Sequence, residues 1–174
     1  LEYYMLGLEC CNEHNVGDVQ RSIEINIGYL YLDTGMYKEA RQYFLSAYAR
    51  YMAAPENERD ISRLTMIYTN LAESYMLEGD MDNTAQYIDR IEAECKPHFA
   101  EMYQISVDSL CARFHHLIGD AYKRDMYIAE LEKRLGGRVL IMDIFGDLYE
   151  FCLLMLELDR DDIVAEIINK IEEP

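Results

Sequence analysis

Nowhere along this chain do apolar and polar positions alternate for long enough to predict a strand. They group instead into amphipathic helical runs, with Pro and Gly falling between the runs. The clearest stretch is residues 21 to 52, RSIEINIGYLYLDTGMYKEARQYFLSAYARYM, which reads as two helices broken at Gly35. Residues 65 to 96 repeat it more loosely, with Leu71-Ala72, Tyr75, Gly79-Asp80, Thr84, Ile88 and Ile91. A third copy has Cys111-Ala112, His115, Gly119-Asp120 and an amphipathic run from Tyr122 to Leu135. A fourth has a long apolar helix to Leu158, a turn at Asp159-Arg160 and a helix from Asp162 to Ile171. Residues 1 to 14 read as the second helix of a preceding pair. The turns at Gly35, Gly79, Gly119 and Asp159 recur at intervals of 44, 40 and 40 residues. Linkers are predicted at Asn15 to Gly17, Ala53 to Glu58 with Pro55, Lys96-Pro97 and Gly136-Gly137. Asp18, Asp60 and Asp161 are the predicted N-caps. The predicted fold class is all-α, an array of antiparallel helix pairs.

In the first full pair, Ile27-Gly28, Tyr31, Gly35, Tyr37, Ala40, Phe44 and Ala47 stand in a fixed order. This resembles the tetratricopeptide repeat, whose Leu-Gly, Tyr, Gly-x-Tyr, Ala, Phe and Ala positions are all filled. Two positions depart: Glu24 stands at the Trp position and Met52 at the final Pro position. The pattern has a physical cause. Gly28 and Ala40 are small so that two helices approach closely. Tyr31, Tyr37 and Phe44 are expected to fill the space between that pair and the next. Gly35 ends the first helix, where a left-handed residue costs glycine little. The spacing exceeds the roughly 34-residue standard and is similar to the extended repeats of bacterial regulatory proteins. The resemblance implies a right-handed superhelical α-solenoid as one domain over 1–174. A remnant helix occupies 1–17, and repeats occupy 18–56, 57–97, 98–136 and 137–174.

The resemblance also implies a ligand face. In the family the first helix of each pair lines a concave side. The ligand-facing positions carried over are Ser22, Ile25, Asn26, Tyr29, Leu32 and Asp33, then Met66, Thr69, Asn70, Glu73, Met76 and Leu77. The candidate peptide-binding residues are Asn26, Tyr29, Asp33, Thr69, Asn70 and Glu73. Asn26 and Asn70 share one repeat position, and an asparagine there both donates to and accepts from a peptide backbone. Tyr29 offers a large ring with a polar tip. The carboxylate clamp of some family members needs Lys or Arg where this chain has Ser22, Met66, Ser106 and Leu110. Asp33 and Glu73 therefore point to a basic or neutral segment as ligand.

Charge narrows the partners further. There are 33 Asp plus Glu against 16 Lys plus Arg, a formal net charge of −17. Such a surface repels phosphate backbones and anionic membranes, so neither direct nucleic-acid nor membrane binding is expected. The apolar stretch from Leu148 to Leu158 carries Glu150 and Glu157 and is too short to span a bilayer. Five scattered cysteines, Cys10, Cys11, Cys95, Cys111 and Cys152, fit a reducing cytoplasmic setting. Most of the 15 tyrosines are expected to be packing residues.

No chemistry stands out among the reactive residues. Cys10, Cys11 and His14 make only a partial zinc set, as do Cys95 and His98, so no metal or cofactor is predicted. His115 and His116 point about 100° apart on a helix. Gly136-Gly137-Arg138 lacks the strand context of a phosphate loop. No nucleophile triad is present, and no enzyme is predicted. The leading expectation is a peptide- or protein-binding module. Two alternatives stay open. One is a regulatory or sensor region of a bacterial signalling protein, upstream of a diguanylate cyclase or DNA-binding output domain. It accords with a chain that opens at Leu1 and ends at Pro174, from which a piece of a longer protein is expected. The other is a homo-oligomerisation scaffold, a homodimer through the last helix pair, since the Leu148 to Leu158 helix is apolar on more than one face.

Overall fold

The computed structural model describes residues 1–14, 16–96, 101–135 and 145–172. Among these residues there are nine α-helices and no strand. They are α1 (Glu2–His14), α2 (Gly17–Asp33), α3 (Tyr37–Ala53), α4 (Ile61–Glu78), α5 (Met81–Arg90), α6 (Glu101–Leu117), α7 (Ala121–Leu135), α8 (Phe145–Glu157) and α9 (Asp161–Glu172). A 3₁₀ turn, Glu56–Glu58, follows Pro55, and a π-helical turn, Ile91–Cys95, extends α5. The chain divides into two compact units, Leu1–Phe99 and Ala100–Pro174.

Four hairpins share one turn chemistry. Gly35, Gly79 and Gly119 have φ of 76°, 87° and 76°, and Asp159 has φ of 55°. At each, the left-handed residue donates its N–H to the carbonyl three residues back, and the next residue donates to the carbonyl five residues back. This is the Schellman arrangement, which satisfies two carbonyls that a helix end leaves without partners. Glycine takes the left-handed conformation without strain, and Asp is among the few other residues that visit it. The residue after each turn opens the next helix. Asp80 caps α5 by accepting from the Asn83 N–H at 3.1 Å, and Asp120 caps α7 by accepting from the Lys123 N–H at 3.1 Å.

In the first unit each helix packs antiparallel on the next. Across α2 and α3, Glu24 meets Arg50 while Tyr31 meets Tyr43. Across α3 and α4, Tyr48 meets Tyr68 while Arg41 meets Tyr75. Across α4 and α5, Tyr68 meets Tyr87 and Thr84 reaches the Ala72 carbonyl at 3.5 Å. The first helices of successive pairs run parallel: Arg63 of α4 donates to Ser22 Oγ of α2 at 3.3 Å, near both N-terminal ends. Of the described glycines, Gly28 lets another side chain come closest. A Cβ there would sit 2.7 Å from Cδ1 and 2.8 Å from Cζ of the fully buried Phe44.

The second unit follows the same rules. His115 and Arg134 tie α6 antiparallel to α7, through the Tyr127 ring (centroids 5.6 Å apart, 9° between planes) and Asp108 (2.9 Å). Residues near the C-terminal ends of α6 and α8 meet at His116 and Glu157, 3.4 Å apart. Ile105, Leu131, Phe151 and Met155 form its interior.

Several local expectations change. Asp60 caps α4 through the Ser62 N–H at 2.9 Å, but Asp18 and Asp161 lie inside the first turns of α2 and α9. Asp18 pairs with Arg21 instead. Gly7, Gly17 and Gly28 sit within helices rather than between them. Tyr31 stacks on Tyr43 of its own pair at 5.6 Å, and Phe44 packs on Gly28 and Tyr29 of its own pair, where both were expected to fill the space toward the next pair. Gly136-Gly137-Arg138 and His98 lie outside the described residues.

Candidate functional site

The repeat register gives each first helix a comparable outer face. The residues six before the left-handed turns are Tyr29, Glu73, Arg113 and Leu153, and all four are exposed or half-buried. On α2, Asn26, Tyr29 and Asp33 are all exposed, and their spacing by three and four puts them on one face. Tyr29 is 37% exposed, with its ring set edge-on against Phe44 (centroids 6.0 Å apart, planes at 80°). A core residue therefore packs against the ring, which stays part-exposed.

On α4 the corresponding residues behave differently. Thr69 is half-buried and its hydroxyl donates to the Thr65 carbonyl at 2.8 Å, so it serves its own helix. Glu73 is half-buried. Asn70 is only 2% exposed, and its Nδ2 has no acceptor. The two asparagines that share a repeat position thus differ: Asn26 is at the surface and Asn70 is interior. Beside them, Ser22 accepts from Arg63, a guanidinium that also lies 4.0 Å from the Asp60 carboxylate. The α2–α4 side therefore carries a cation toward its N-terminal end and the carboxylate of Asp33 toward the other.

Buried charges and packed rings hold the first unit together. Glu24 is buried, accepting from Ser46 Oγ and Arg50 Nε at 2.9 Å each. A charged hydrogen-bonded cluster thus occupies the position where the repeat pattern expects an aromatic ring. Arg41, also buried, donates to the Ser74 carbonyl at 3.1 Å and to the Glu78 carboxylate, and lies 4.3 Å over the Tyr75 ring. Tyr48, Tyr68, Tyr87 and Tyr75 adjoin one another in that order, with centroids 5.6 to 5.9 Å apart. Only their helical spacing was visible in the sequence.

These rings predict an alkaline response. Burial raises the hydroxyls of Tyr43, Tyr51, Tyr68 and Tyr87 above the ordinary tyrosine value. For Tyr68, hydrogen bonding with Tyr48 and the nearby Glu94 carboxylate add to burial. A raised acid keeps its proton longer in the folded chain. Its contribution is complete below the unfolded value of about 10 and is lost as pH rises above it. Burial also raises the thiols of Cys95 and Cys152, so denaturation midpoints should hold steady from about pH 7 to about pH 8.5, begin to fall there, and fall most steeply above about pH 10. Tyrosinate absorbance should rise together with loss of helical circular dichroism; complete ionisation of all tyrosines in a still-folded chain would contradict this.

The reactive residues are dispersed. Cys10 Sγ lies 3.7 Å from His14 Nδ1 on an exposed face, whereas Cys11 is buried. All five cysteines are free. His115 is buried between Phe114 and Tyr127, and His116 is half-buried beside Glu157. Among the described residues no three His, Cys, Asp or Glu side chains gather to hold a metal ion. No described helix is long and apolar enough to cross a membrane. Comparison of the chain with protein-family models, curated proteins and solved structures gives no match.

Proposed function

We propose that this chain is a non-catalytic, tetratricopeptide-like repeat module that holds a peptide or protein segment along its first helices. In this reading the helix pairs stack as a right-handed array, and the α2–α4 side receives the ligand. The observation that carries it is the Asn70 amide, 2% exposed with no acceptor for Nδ2. A buried donor without a partner costs about 1–3 kcal/mol, and native structures rarely leave one unexplained. A backbone carbonyl of a bound segment would satisfy it once the side chains that cover Nδ2 part to admit it. Tyr29 supplies contact area, Asn26 an open amide and Asp33 a carboxylate. The −17 charge favours a basic or neutral segment over an acidic one.

Asn70→Ala should weaken binding of the best segment from a peptide library by roughly tenfold, the worth of about 1.4 kcal/mol from one lost buried hydrogen bond. Asn26→Ala should cost less, because its amide is already hydrated. Affinities measured by calorimetry that stay unchanged in both variants, with unchanged helical circular dichroism, would remove this face from consideration.

A second reading rests on α8. Tyr149, Leu153 and Leu156 are exposed at spacings of four and three, while Phe151, Leu154 and Met155 are buried. An apolar stripe outside an apolar core favours self-association through the last pair. Light scattering should then report a dimer that Leu153→Glu converts to monomer; a wild-type monomer at high concentration rejects the reading.

A further inference from the structure

Three tyrosines from three helices share one corner of the first unit. Tyr68 of α4 lies 5.6 Å from Tyr48 of α3, with planes at 39°, and 5.9 Å from Tyr87 of α5, with planes at 52°. Tyr68 is buried, whereas Tyr48 and Tyr87 are half-buried. The Glu94 carboxylate accepts the Tyr68 hydroxyl at 3.1 Å. Tilted ring faces beside a carboxylate are the elements that bind an organic cation, because each ring face is electron-rich.

The chain already puts a cation there. The Arg90 guanidinium lies 5.5 Å from the Tyr87 centroid and 5.9 Å from that of Tyr68. Arg90 is exposed, and among the described residues no hydrogen bond or ion pair engages it, in a chain with 33 acidic residues. The π-helical turn Ile91–Cys95 bears on this. In an ordinary helix Arg90 and Glu94 would be i,i+4 neighbours on one face. The wider turn changes that register, and Glu94 engages Tyr68 instead.

We propose that Tyr48, Tyr68 and Tyr87, with Glu94, form a cation cage that takes an arginine or methylated lysine side chain of a partner polypeptide. Arg90 lies over its Tyr68 and Tyr87 faces in the free protein. Arg90 is held only by ring contacts at an exposed site, which are weak, so a partner cation displaces it at little cost. The strongly acidic chain draws such partners in. This site lies on α3 to α5 and does not rest on the reading of the α2–α4 side.

The test uses three short, otherwise neutral peptides carrying arginine, trimethyllysine or glutamine at one central position, titrated by calorimetry. Arg90→Ala should bind at least one cationic peptide about tenfold more tightly than the wild-type chain does, and the glutamine peptide no better. Adding Tyr87→Leu to that variant should bring the cationic peptide down to the glutamine level. Whichever cationic peptide gains identifies the side chain. Equal binding of all three peptides, or no gain in Arg90→Ala with either cation, would overturn the proposal and leave Arg90 as a packing residue. Should Arg90→Ala lose helical signal, Arg90→Gln keeps the stem and is judged by the same outcomes.

Discussion

Replacing Phe44 by alanine should destabilise the first unit by about 3–5 kcal/mol, the usual cost of emptying a buried aromatic site. Phe44 is completely buried. Its ring rests against the backbone at Gly28 and takes the edge of Tyr29 at 6.0 Å. Collapse of the surroundings normally reduces the cost of such a cavity. Here Gly28 has no side chain to advance, and the helix backbone around it is rigid. The cost should therefore fall near the upper end of the range. Gly28→Ala attacks the same contact from the other side. Alanine gains about 1 kcal/mol in helix propensity, but its Cβ meets ring atoms of Phe44 that are fixed in the core. Overpacking costs about 1–3 kcal/mol, so a net loss of about 1 kcal/mol is expected. In the double variant the new methyl occupies part of the space the ring vacates. The two changes should then be less than additive by more than about 0.5 kcal/mol, as measured by urea denaturation. Full additivity would mean that Gly28 and Phe44 do not share a contact.

The close approach at Gly28 was legible in the sequence, and the reason is repetition; that Phe44 of the same pair fills it was not. Small residues at 28, 72 and 112 are all buried, each seven residues before a left-handed turn glycine. Such features depend on local geometry that every copy must satisfy, so they print the same pattern each time. The four turns are legible for that reason, including the one at Asp159 without a glycine. The exposure of Asn26, Tyr29 and Asp33 also followed from the register. What repetition cannot encode is a partner supplied once by a distant segment. Whether Asn70 is interior depends on what packs around α4, and the same position on α2 is open. Charge alone gives no reason to place Arg21, Glu24 and Arg41 inside, yet all three are buried. Asp18 looked like a cap, but Arg21, one turn further on, claimed its carboxylate. The likeness between copies revealed the scaffold, whereas the candidate site lies in the differences between them.

Arg41 is the difference with the largest expected consequence, because it couples two helix pairs. Its guanidinium leaves α3 and engages α4 in three ways: the Ser74 carbonyl at 3.1 Å, the Glu78 carboxylate, and the face of Tyr75 at 4.3 Å. Arg41→Ala should cost about 2–3 kcal/mol. Breaking a fully buried pair costs about 3–5 kcal/mol, but the Glu78 side chain is 34% exposed and regains hydration. The remainder comes from the buried Ser74 carbonyl, which loses a charged donor, and from lost packing on Tyr75. Arg41→Met separates these parts. It restores most of the apolar volume without a charge, so it should recover about 1 kcal/mol of the loss. Lysine should do no better than methionine, because a point charge cannot reach a carbonyl and a carboxylate in one plane while lying flat on a ring. The α3–α4 junction should respond most: amides of α4 near Ser74 should exchange hydrogen faster in Arg41→Ala, while those of α6 in the other unit stay unchanged. Equal acceleration in α4 and α6 would show that Arg41 stabilises the chain globally and does not act as a local fastening between the first two helix pairs.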